Sequence, residues 1–281
     1  MAYVESYTVF SATTPNGQSL DTPQFALEEV SQNTPPLRGE NLRPAMDHGL
    51  RFREKRMGGR TETWSIWVCD TNTATGLPRA TTEARLADFN TNWDTVMGIL
   101  LTTNRADDYE APLKVVRRMK TTPGSPTDMY RVNYGEVSGE ISVADHSTFQ
   151  YARFQVPVLY MDPRWYESGS TGTKTARTFT SGTPPGGTAL MTRMTITLPS
   201  TSSPYIENMT TGSKLTYTGT PGANVIIDTT ECTAKVSGVN KSGNISRTGS
   251  TTSDWFQLRP GVANTIQSNV SYTISYYRAY I

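Results

Sequence analysis

Few residues of the types that most often carry catalysis occur in this chain of 281 residues, which has two histidines and two cysteines. His48, His146, Cys69 and Cys232 could bind a metal only if the fold brought them together, because no two have ligand spacing on one element. We therefore expect no metal or other cofactor. The cysteines are predicted to be buried, reduced thiols in a protein that folds in a reducing cytosol.

Acid–base and nucleophilic catalysis find little support in the sequence. Each histidine follows an aspartate, in Asp47-His48 and Asp145-His146. Consecutive side chains on a strand point to opposite faces, so neither pair resembles two members of a Ser-His-Asp triad. The chain lacks both a Gly-x-Ser-x-Gly elbow and a glycine-rich phosphate-binding motif.

An acidic cluster offers the remaining route to an enzyme. Asp107, Asp108 and Glu110 could supply the two carboxylates that glycoside hydrolysis requires. The cluster follows a predicted helix and precedes Pro112, which favours a solvated loop. The sequence therefore predicts a protein that is not an enzyme.

A second charged group is basic. It contains Arg51, Arg53, Lys55, Arg56 and Arg60, with Phe52, Trp64 and Trp67 nearby. Nucleic-acid binding would use such a patch, but Glu54 and Glu62 interrupt it. We favour a charged strand face or a salt-bridging contact between subunits, and we predict Arg51, Arg53, Arg56 and Arg60 as a possible subunit-contact surface.

The composition indicates many short strands joined by turns. The chain has 44 Thr, 24 Ser, 22 Gly and 17 Pro, and hydrophobic residues make up 36% of it. Its net charge of +1 implies no polyelectrolyte partner. No apolar run approaches the ~20 residues of a membrane helix, and the first ten residues lack the pattern of a secretory signal. We expect no membrane partner.

Charge divides the chain into two predicted domains. Residues 1–165 hold 17 bases and 20 acids, whereas residues 166–281 hold 9 bases and 5 acids. The change falls in a Gly/Ser/Thr-rich stretch, 168–188, that contains Thr183-Pro184-Pro185-Gly186-Gly187. We place the domains at 1–167 and 168–281.

The first half predicts strands and one long helix. Alternating apolar and charged residues predict a hairpin, with arms at 49–56 and 61–69 around Gly58-Gly59. Thr81 or Thr82 can cap a helix. Its apolar stripe comprises Leu86, Phe89, Trp93, Val96, Met97 and Leu100, and Asp88, Asn92 and Thr95 fall on the opposite face. Further strands are predicted at 113–119, 129–137 and 149–159.

The second half predicts an all-β domain. Short apolar runs recur at 192–198, 214–217, 225–228, 233–236, 255–258 and 270–276. Strands at intervals of about ten residues are typical of a β-sandwich. Tyr205 or Tyr217 could serve a sugar-binding sandwich, although placement in the core is the more ordinary role.

Three stretches together resemble the distal tail protein family of long, non-contractile-tailed bacteriophages, often called minor tail proteins in phages of actinobacteria. The first is Gly49-Leu50-Arg51-Phe52 leading to Trp64-Ser65-Ile66-Trp67-Val68. The second is 154–166, which ends in Asp162-Pro163-Arg164-Trp165-Tyr166. The third is Val225-Ile226-Ile227-Asp228 followed by 255–266, where Leu258-Arg259-Pro260-Gly261 precedes Asn264 with one residue more than is common.

The resemblance implies a fold and a role. It implies a mainly β protein, in which a tail-tube-like domain with one helix precedes a galectin-like β-sandwich. Six copies would form a ring in the virion tail tip that joins the tail tube protein to the tip hub and receptor-binding proteins. DNA would pass through its channel without specific binding, and the protein would be made in the host bacterial cytoplasm. The alternatives are a carbohydrate-binding module that aids host adsorption and the tail tube subunit itself.

Overall fold

A computed structural model describes residues 3–11, 13–33, 37–38, 56–102, 112–120, 128–146, 150–168, 177–249 and 255–281. Antiparallel strands predominate in these residues, together with one long helix, which confirms the predicted mainly β class. The chain forms two compact units, 1–163 and 164–281. The sequence-based boundary between 167 and 168 stays a prediction, as do the tail-tube-like and galectin-like details. No helix in the described ranges is long and apolar enough to cross a membrane.

The first unit is a curved antiparallel sheet with the strand order β2-β1-β7-β8-β10-β6-β3, and β9 lies beside β10. Leu20 joins its two ends, because its N–H donates to Tyr7 O at 2.9 Å and its carbonyl accepts from Leu27 N at 2.7 Å. We call this unit the barrel. Its elements are β1 (Tyr3–Phe10), β2 (Gln18–Ser19), β3 (Phe25–Gln32), β4 (Leu37–Arg38), β5 (Arg56–Met57), β6 (Arg60–Cys69), α1 (Thr82–Leu100), β7 (Leu113–Lys120), β8 (Asp128–Val137), β9 (Ser142–His146) and β10 (Tyr151–Tyr160).

Period-two patterning fixes which face of each strand is buried. In β10 every second residue is buried, and Phe154, Val156 and Val158 are fully enclosed. β10 pairs with β6 along its whole length, and β3 occupies the other edge of β6. The strands predicted at 61–69, 113–119, 129–137 and 149–159 are thus confirmed as β6, β7, β8 and β10.

The predicted hairpin is wrong where the structure describes it. Arg56 and Met57 form β5, which pairs with Leu37 and Arg38 of β4 rather than with β6. The physical reason is that β3 and β10 already saturate both edges of β6, so no edge remains for a hairpin partner. Residues 49–55 of the predicted first arm lie outside the described residues.

The helix is confirmed, but its buried face is rotated from the predicted one. Thr81 caps it by accepting a hydrogen bond from Ala84 N at 3.3 Å. Leu86, predicted to be apolar core, is 43% exposed, whereas Asn92, predicted to face outward, is 3% exposed. The Asn92 amide donates to the carbonyls of Cys69 and Thr71, at 2.8 Å each. Burial of Asn92 follows from the backbone acceptors at the end of β6, which compensate for its lost hydration.

The second unit contains two antiparallel sheets and a terminal strand pair. The sheet orders are β12-β21-β13-β16-β17-β18 and β19-β15-β14-β20, and β11 pairs with β22. Its strands are β11 (Trp165–Ser168), β12 (Arg177–Phe179), β13 (Met194–Leu198), β14 (Tyr205–Asn208), β15 (Ser213–Tyr217), β16 (Val225–Asp228), β17 (Thr233–Val236), β18 (Val239–Asn240), β19 (Ile245–Gly249), β20 (Ile266–Ser268), β21 (Thr273–Tyr276) and β22 (Ala279–Tyr280), with a short 3-10 helix at Ser242–Asn244. We call this unit the sandwich.

Alternating burial in β13, β14 and β15 gives each sheet one buried face. The strands predicted at 192–198, 214–217, 225–228, 233–236 and 270–276 are confirmed, with shifted ends. The strand predicted at 255–258 is wrong, because this stretch forms only an isolated bridge between Leu258 and Met191. Phe256 and Leu258 are fully buried nonetheless, so their apolar pattern reflects core packing and not strand pairing.

Two hairpins of the sandwich have turns of the same length. Asn208 precedes the turn between β14 and β15, and Asp228 precedes the turn between β16 and β17. The side-chain oxygen of each accepts a hydrogen bond from the backbone N–H two residues later. The last turn residue has a positive φ in both, 71° at Gly212 and 55° at Cys232. Cys232 therefore occupies a left-handed position that glycine fills in the other hairpin.

Candidate functional site

The predicted subunit-contact residues fall in different environments. Arg51 and Arg53 lie outside the described residues, and Arg56 belongs to β5, where it pairs with Arg38. Arg60 begins β6 and is only 6% exposed. The structure therefore places Arg60 inside the barrel of its own chain. That the four arginines form a subunit contact stays a prediction.

Arg60 borders a buried ion pair in the barrel. Arg117 Nη2 of β7 donates to Glu62 Oε1 of β6 at 2.5 Å, and their side chains are 6% and 0% exposed. Trp64 Nε1 donates to the other carboxylate oxygen of Glu62 at 3.4 Å. Both oxygens of Glu62 are thus engaged, which offsets part of the cost of burying its charge.

Two tyrosines complete this cluster. The guanidinium of Arg117 lies 5.3 Å from the ring centroid of Tyr7, and the rings of Tyr7 and Trp64 lie 5.9 Å apart. β1 and β6 are not neighbours in the strand order, so these side chains meet across the barrel interior. Burial raises the pKa of Tyr7, and burial together with the charge of Glu62 raises the pKa of Tyr160 well above its usual value.

The cluster holds two guanidinium groups and one carboxylate, because Arg60 lies beside the pair. Burial lowers the pKa of Arg60, the positive charge of Arg117 adds to this effect, and Glu62 opposes it. The arrangement ties β1, β6, β7 and β10 together through Tyr7, Glu62, Arg117 and Tyr160. Glu62, Arg117 and Tyr160 are buried, and we assign the cluster a structural role in the barrel.

Sequence reasoning missed this cluster although a signal was present. In the sequence, Glu62 stands out only as an acid that interrupts the basic group. It has the same strand parity as Trp64, Ile66 and Val68, which predicts that its side chain enters the apolar face. A charged residue on a buried face requires a partner, but the sequence could not tell that Arg117 supplies it.

The candidate catalytic residues do not converge where they are described. Within the described ranges, no group of three or more His, Cys, Asp or Glu residues could hold a metal ion. His146 is exposed on β9, and the neighbouring Asp145 carboxylate accepts a hydrogen bond from the Tyr151 hydroxyl at 3.2 Å. His48 and the cluster of Asp107, Asp108 and Glu110 lie outside the described residues.

The two cysteines differ from each other. Cys69 is buried as predicted, and its thiol is 2.9 Å from Thr71 Oγ1 and 3.1 Å from Pro23 O. The prediction is wrong for Cys232, which is exposed. The reason is its position at the end of a hairpin turn, where the chain reverses at the surface.

The two tyrosines considered for sugar binding are both occupied by protein groups. Tyr217 is 5% exposed and its hydroxyl accepts a hydrogen bond from Asn244 Nδ2 at 3.0 Å, so it belongs to the core. Tyr205 is half-buried, and Lys214 Nζ lies 4.3 Å from its ring centroid. Lys214 also pairs with Glu207 at 3.1 Å. The face of Tyr205 that a sugar ring would stack on is therefore partly covered.

Asn264 organises the turn whose type the sequence left open. Its Oδ1 accepts from Arg259 N at 2.9 Å and Asn208 Nδ2 at 3.0 Å, while its Nδ2 donates to the carbonyls of Arg259 and Val262 at 2.9 and 3.1 Å. Gly261 has a φ of 68° within this turn. Asn264 is fully buried and uses its whole hydrogen-bonding capacity, which explains why the turn ends on an asparagine.

Comparison with known proteins identifies relatives of these units. Residues 186–280 match the sequence model of the family SPP1_Dit, the siphovirus-type tail component, C-terminal domain. No curated protein sequence matches this chain. The crystal structure of SPP1 Dit (gp 19.1), a paradigm of hub adsorption apparatus in Gram-positive infecting phages, is similar over 99% of this chain and 100% of that chain, with a TM-score of 0.59 and 16% identity.

A chain of the phage P2 baseplate in its activated conformation with Ca covers 99% of this chain and 98% of its own length. Its sequence identity to this chain is 9% and its TM-score is 0.39. The predicted resemblance to distal tail proteins is confirmed at two levels. The family match covers most of the sandwich, and the chain is similar in fold to SPP1 Dit.

Proposed function

We propose that this protein is a non-enzymatic structural component of a siphovirus tail tip. The match of residues 186–280 to the C-terminal domain of siphovirus-type tail components is the observation that carries the proposal. The fold shared with SPP1 Dit, a hub protein, supports the same role. In this proposal the chain belongs to the virion and is made in the cytoplasm of the bacterial host.

The finer proposal is a closed ring of six copies. Such a ring would join the tail tube protein to the tip hub and the receptor-binding proteins, and its channel would pass DNA without binding it specifically. The chain's net charge of +1 is consistent with passage, because a strongly basic channel would retain DNA. Heterologous contacts that close on themselves give a ring rather than a filament.

The exposed edge of the barrel supports assembly. All five residues of β9 are exposed, and the strand pairs with β10 along one edge. Its other edge has no strand partner among the described residues, and Val143 on it is 56% exposed. An open edge with an exposed apolar residue favours pairing with another chain unless an assembly covers it.

The test combines the purified chain with the virion. Native mass spectrometry and negative-stain electron microscopy of the full chain are expected to show six-membered rings with a central hole. Antibodies to the chain are expected to label one end of the tails of the phage that encodes it. Monomers at every concentration, in the absence and presence of the tail tube protein, together with unlabelled tails, would contradict the proposal.

A further inference from the structure

A groove opens in the barrel wall between β1 and β3. It has a volume of about 410 Å³, and its lining includes Val4, Tyr7, Asp21, Glu29, Val30 and Gln32. Over residues 4–7, β1 pairs only with β7, and over residues 28–32, β3 pairs only with β6 among the described strands. The groove therefore separates two strand edges that face each other without pairing.

Backbone irregularities border this groove on both sides. The register of β1 shifts between Val4 and Ser6, and the register of β3 shifts between Leu27 and Glu29. Bulges of this kind bend a strand and disrupt its regular pairing. Leu20, whose backbone bonds to both strands, closes one end of the groove. The two edges thus meet at that end and separate beyond it.

The inner side of the groove is mainly apolar. Val4 is the cross-strand partner of Met119, and Val30 is the partner of Trp64. Paired residues of neighbouring strands lie on the same face of a sheet, and Met119 and Trp64 are buried, at 7% and 0% exposure. Both valines therefore point towards the barrel interior. Gln32, the last residue of β3, is the polar residue at the end of this side.

The outer side of the groove is acidic. Asp21 forms a bridge with Ala26, the cross-strand partner of Trp67, and Glu29 is the partner of Ser65. Trp67 and Ser65 alternate along β6 with the residues that point inward, so both acids lie on the outer face of the sheet. An apolar surface and an acidic surface therefore border the same two strand edges.

The acids of the outer side differ in their partners. The carboxylate of Glu28 lies 2.9 Å from Arg153 Nε, so it is already paired within the chain. Asp21 and Glu29 are exposed and have no ion pair among the described residues. The groove lining contains no Lys or Arg. Two carboxylates are thus available to the cations of a binding partner.

We propose that this groove receives an extended segment of a neighbouring tail protein in which apolar and basic residues alternate. A strand that adds to the free edge of β3 continues the barrel wall, and its side chains point alternately inward and outward. The inward side chains meet Val4 and Val30, which favours apolar residues. The outward side chains lie beside Asp21 and Glu29, which favours Lys or Arg.

The free edge also sets the length of the segment. It runs over residues 28–32, so a segment of five or six residues at ~3.3 Å per residue covers it. Backbone hydrogen bonds along the edge contribute affinity whatever the sequence, and the alternating side chains supply the specificity. That the segment belongs to a tail protein rests on the proposed function, whereas its pattern follows from the groove.

Synthetic hexapeptides test the pattern on the full-length chain. The probe is fluorescently labelled Val-Lys-Val-Lys-Val-Lys, and the comparison peptides are Val-Glu-Val-Glu-Val-Glu and Ser-Lys-Ser-Lys-Ser-Lys. Fluorescence anisotropy is expected to give a Kd below about 1 mM for the probe. The comparison peptides are expected to bind about tenfold more weakly, because one lacks the charge attraction and the other the apolar contacts. Equal binding of the three peptides, or no binding of the probe, overturns the inference.

Charge reversal locates the binding in the groove. Asp21→Lys combined with Glu29→Lys is expected to exchange the preference, so that the variant binds Val-Glu-Val-Glu-Val-Glu and rejects the probe. The matched control, Asp94→Lys combined with Glu140→Lys, changes the net charge equally at exposed positions outside the groove lining. It is expected to keep the preference of wild type. A control that loses probe binding as the groove variant does would reveal non-specific charge attraction and overturn the inference.

Hydrogen exchange tests whether the probe adds as a strand. Amides of residues 28–32 are expected to exchange more slowly when the probe is bound to wild type, because edge pairing protects them. Unchanged exchange there contradicts strand addition. Wild-type oligomers that Asp21→Lys with Glu29→Lys dissociates would assign the groove to a second copy of the chain, which also overturns the inference. Circular dichroism spectra and thermal midpoints equal to those of wild type check that each variant is folded.

The inference and the proposed function fail differently. If the chain labels the tail but its groove does not bind the probe, the groove contact is wrong and the tail-tip role stands. If the groove binds the probe but the chain neither assembles nor labels the tail, the proposed function is wrong and the specificity of the groove stands.

Discussion

The barrel and the sandwich solve the burial of polar side chains in opposite ways. The barrel encloses a charged pair, Glu62 and Arg117, with Arg60 beside it. The sandwich encloses a neutral pair, Asn208 and Asn264, whose amides bond to each other and to backbone carbonyls. Removing one charge leaves another buried without compensation, whereas removing an amide leaves neutral groups. This difference predicts that substitutions in the polar cluster of the barrel cost more unfolding free energy than those in the sandwich. It also predicts that the stability of the barrel depends on pH.

Glu62→Gln is expected to have the largest effect. It leaves the guanidinium groups of Arg60 and Arg117 in the barrel without a carboxylate, and breaking a buried pair costs about 3–5 kcal/mol of unfolding free energy. Urea unfolding followed by hydrogen exchange of barrel peptides measures the loss. Glu62→Met combined with Arg60→Met and Arg117→Met removes all three charges and is expected to recover most of the lost unfolding free energy. A Glu62→Gln variant as stable as wild type would contradict the assignment of a stabilising pair.

Asn264→Ala is expected to cost less, about 1–3 kcal/mol. The substitution removes the acceptor that the fully buried Asn264 side chain gives to Arg259 N and Asn208 Nδ2. Hydrogen exchange of peptides from the sandwich measures this loss of unfolding free energy. The matched control is Asn269→Ala, because Asn269 also bonds backbone groups, Tyr205 N and Ser203 O, but is exposed to water. Equal losses for the two variants would show that burial does not set the cost.

Alkaline pH is expected to weaken the barrel. The pKa of Tyr160 is raised in the folded state, so the neutral phenol is favoured there and its contribution to stability is complete below the unfolded value, near 10. As pH rises above about 10 towards the folded pKa, unfolding releases this proton and stability falls by about 1.4 kcal/mol per pH unit. Tyr160→Phe is expected to reduce that slope. An unchanged slope in Tyr160→Phe would exclude this tyrosine as its source.

Cys232→Gly is expected to stabilise the sandwich by about 1 kcal/mol. Its φ of 55° is left-handed, and Gly212 occupies the equivalent turn position of the neighbouring hairpin. The reciprocal change, Gly212→Ala, is expected to destabilise by a similar amount. Thermal unfolding of both variants measures the two changes in stability. A loss of stability in Cys232→Gly would mean that the thiol contributes more than its backbone conformation costs.

Local patterns carried much of the fold. The sequence predicts the cap at Thr81 and the alternating burial of β10, because both depend on neighbouring residues along one element. The prediction that Asn92 faces outward is wrong, because its side chain donates to the carbonyls of residues 69 and 71, which lie far from it in sequence. The sequence predicts that the arm at 49–56 pairs with β6. Alternation of apolar and charged residues indicates a strand, but it does not indicate which strand lies beside it.

In the candidate site as well, local patterns are predictable from the sequence and contacts between distant residues are not. The sequence by itself determined that the chain is mainly β with one helix, and it singled out the basic group from Arg51 to Arg60. Only the tertiary structure decided that Arg60 enters the barrel, that Glu62 meets Arg117, and that β1 and β3 leave an acidic groove between them. The reason is physical: parity and propensity act between near neighbours, whereas charge pairing and edge saturation depend on which distant strands come together.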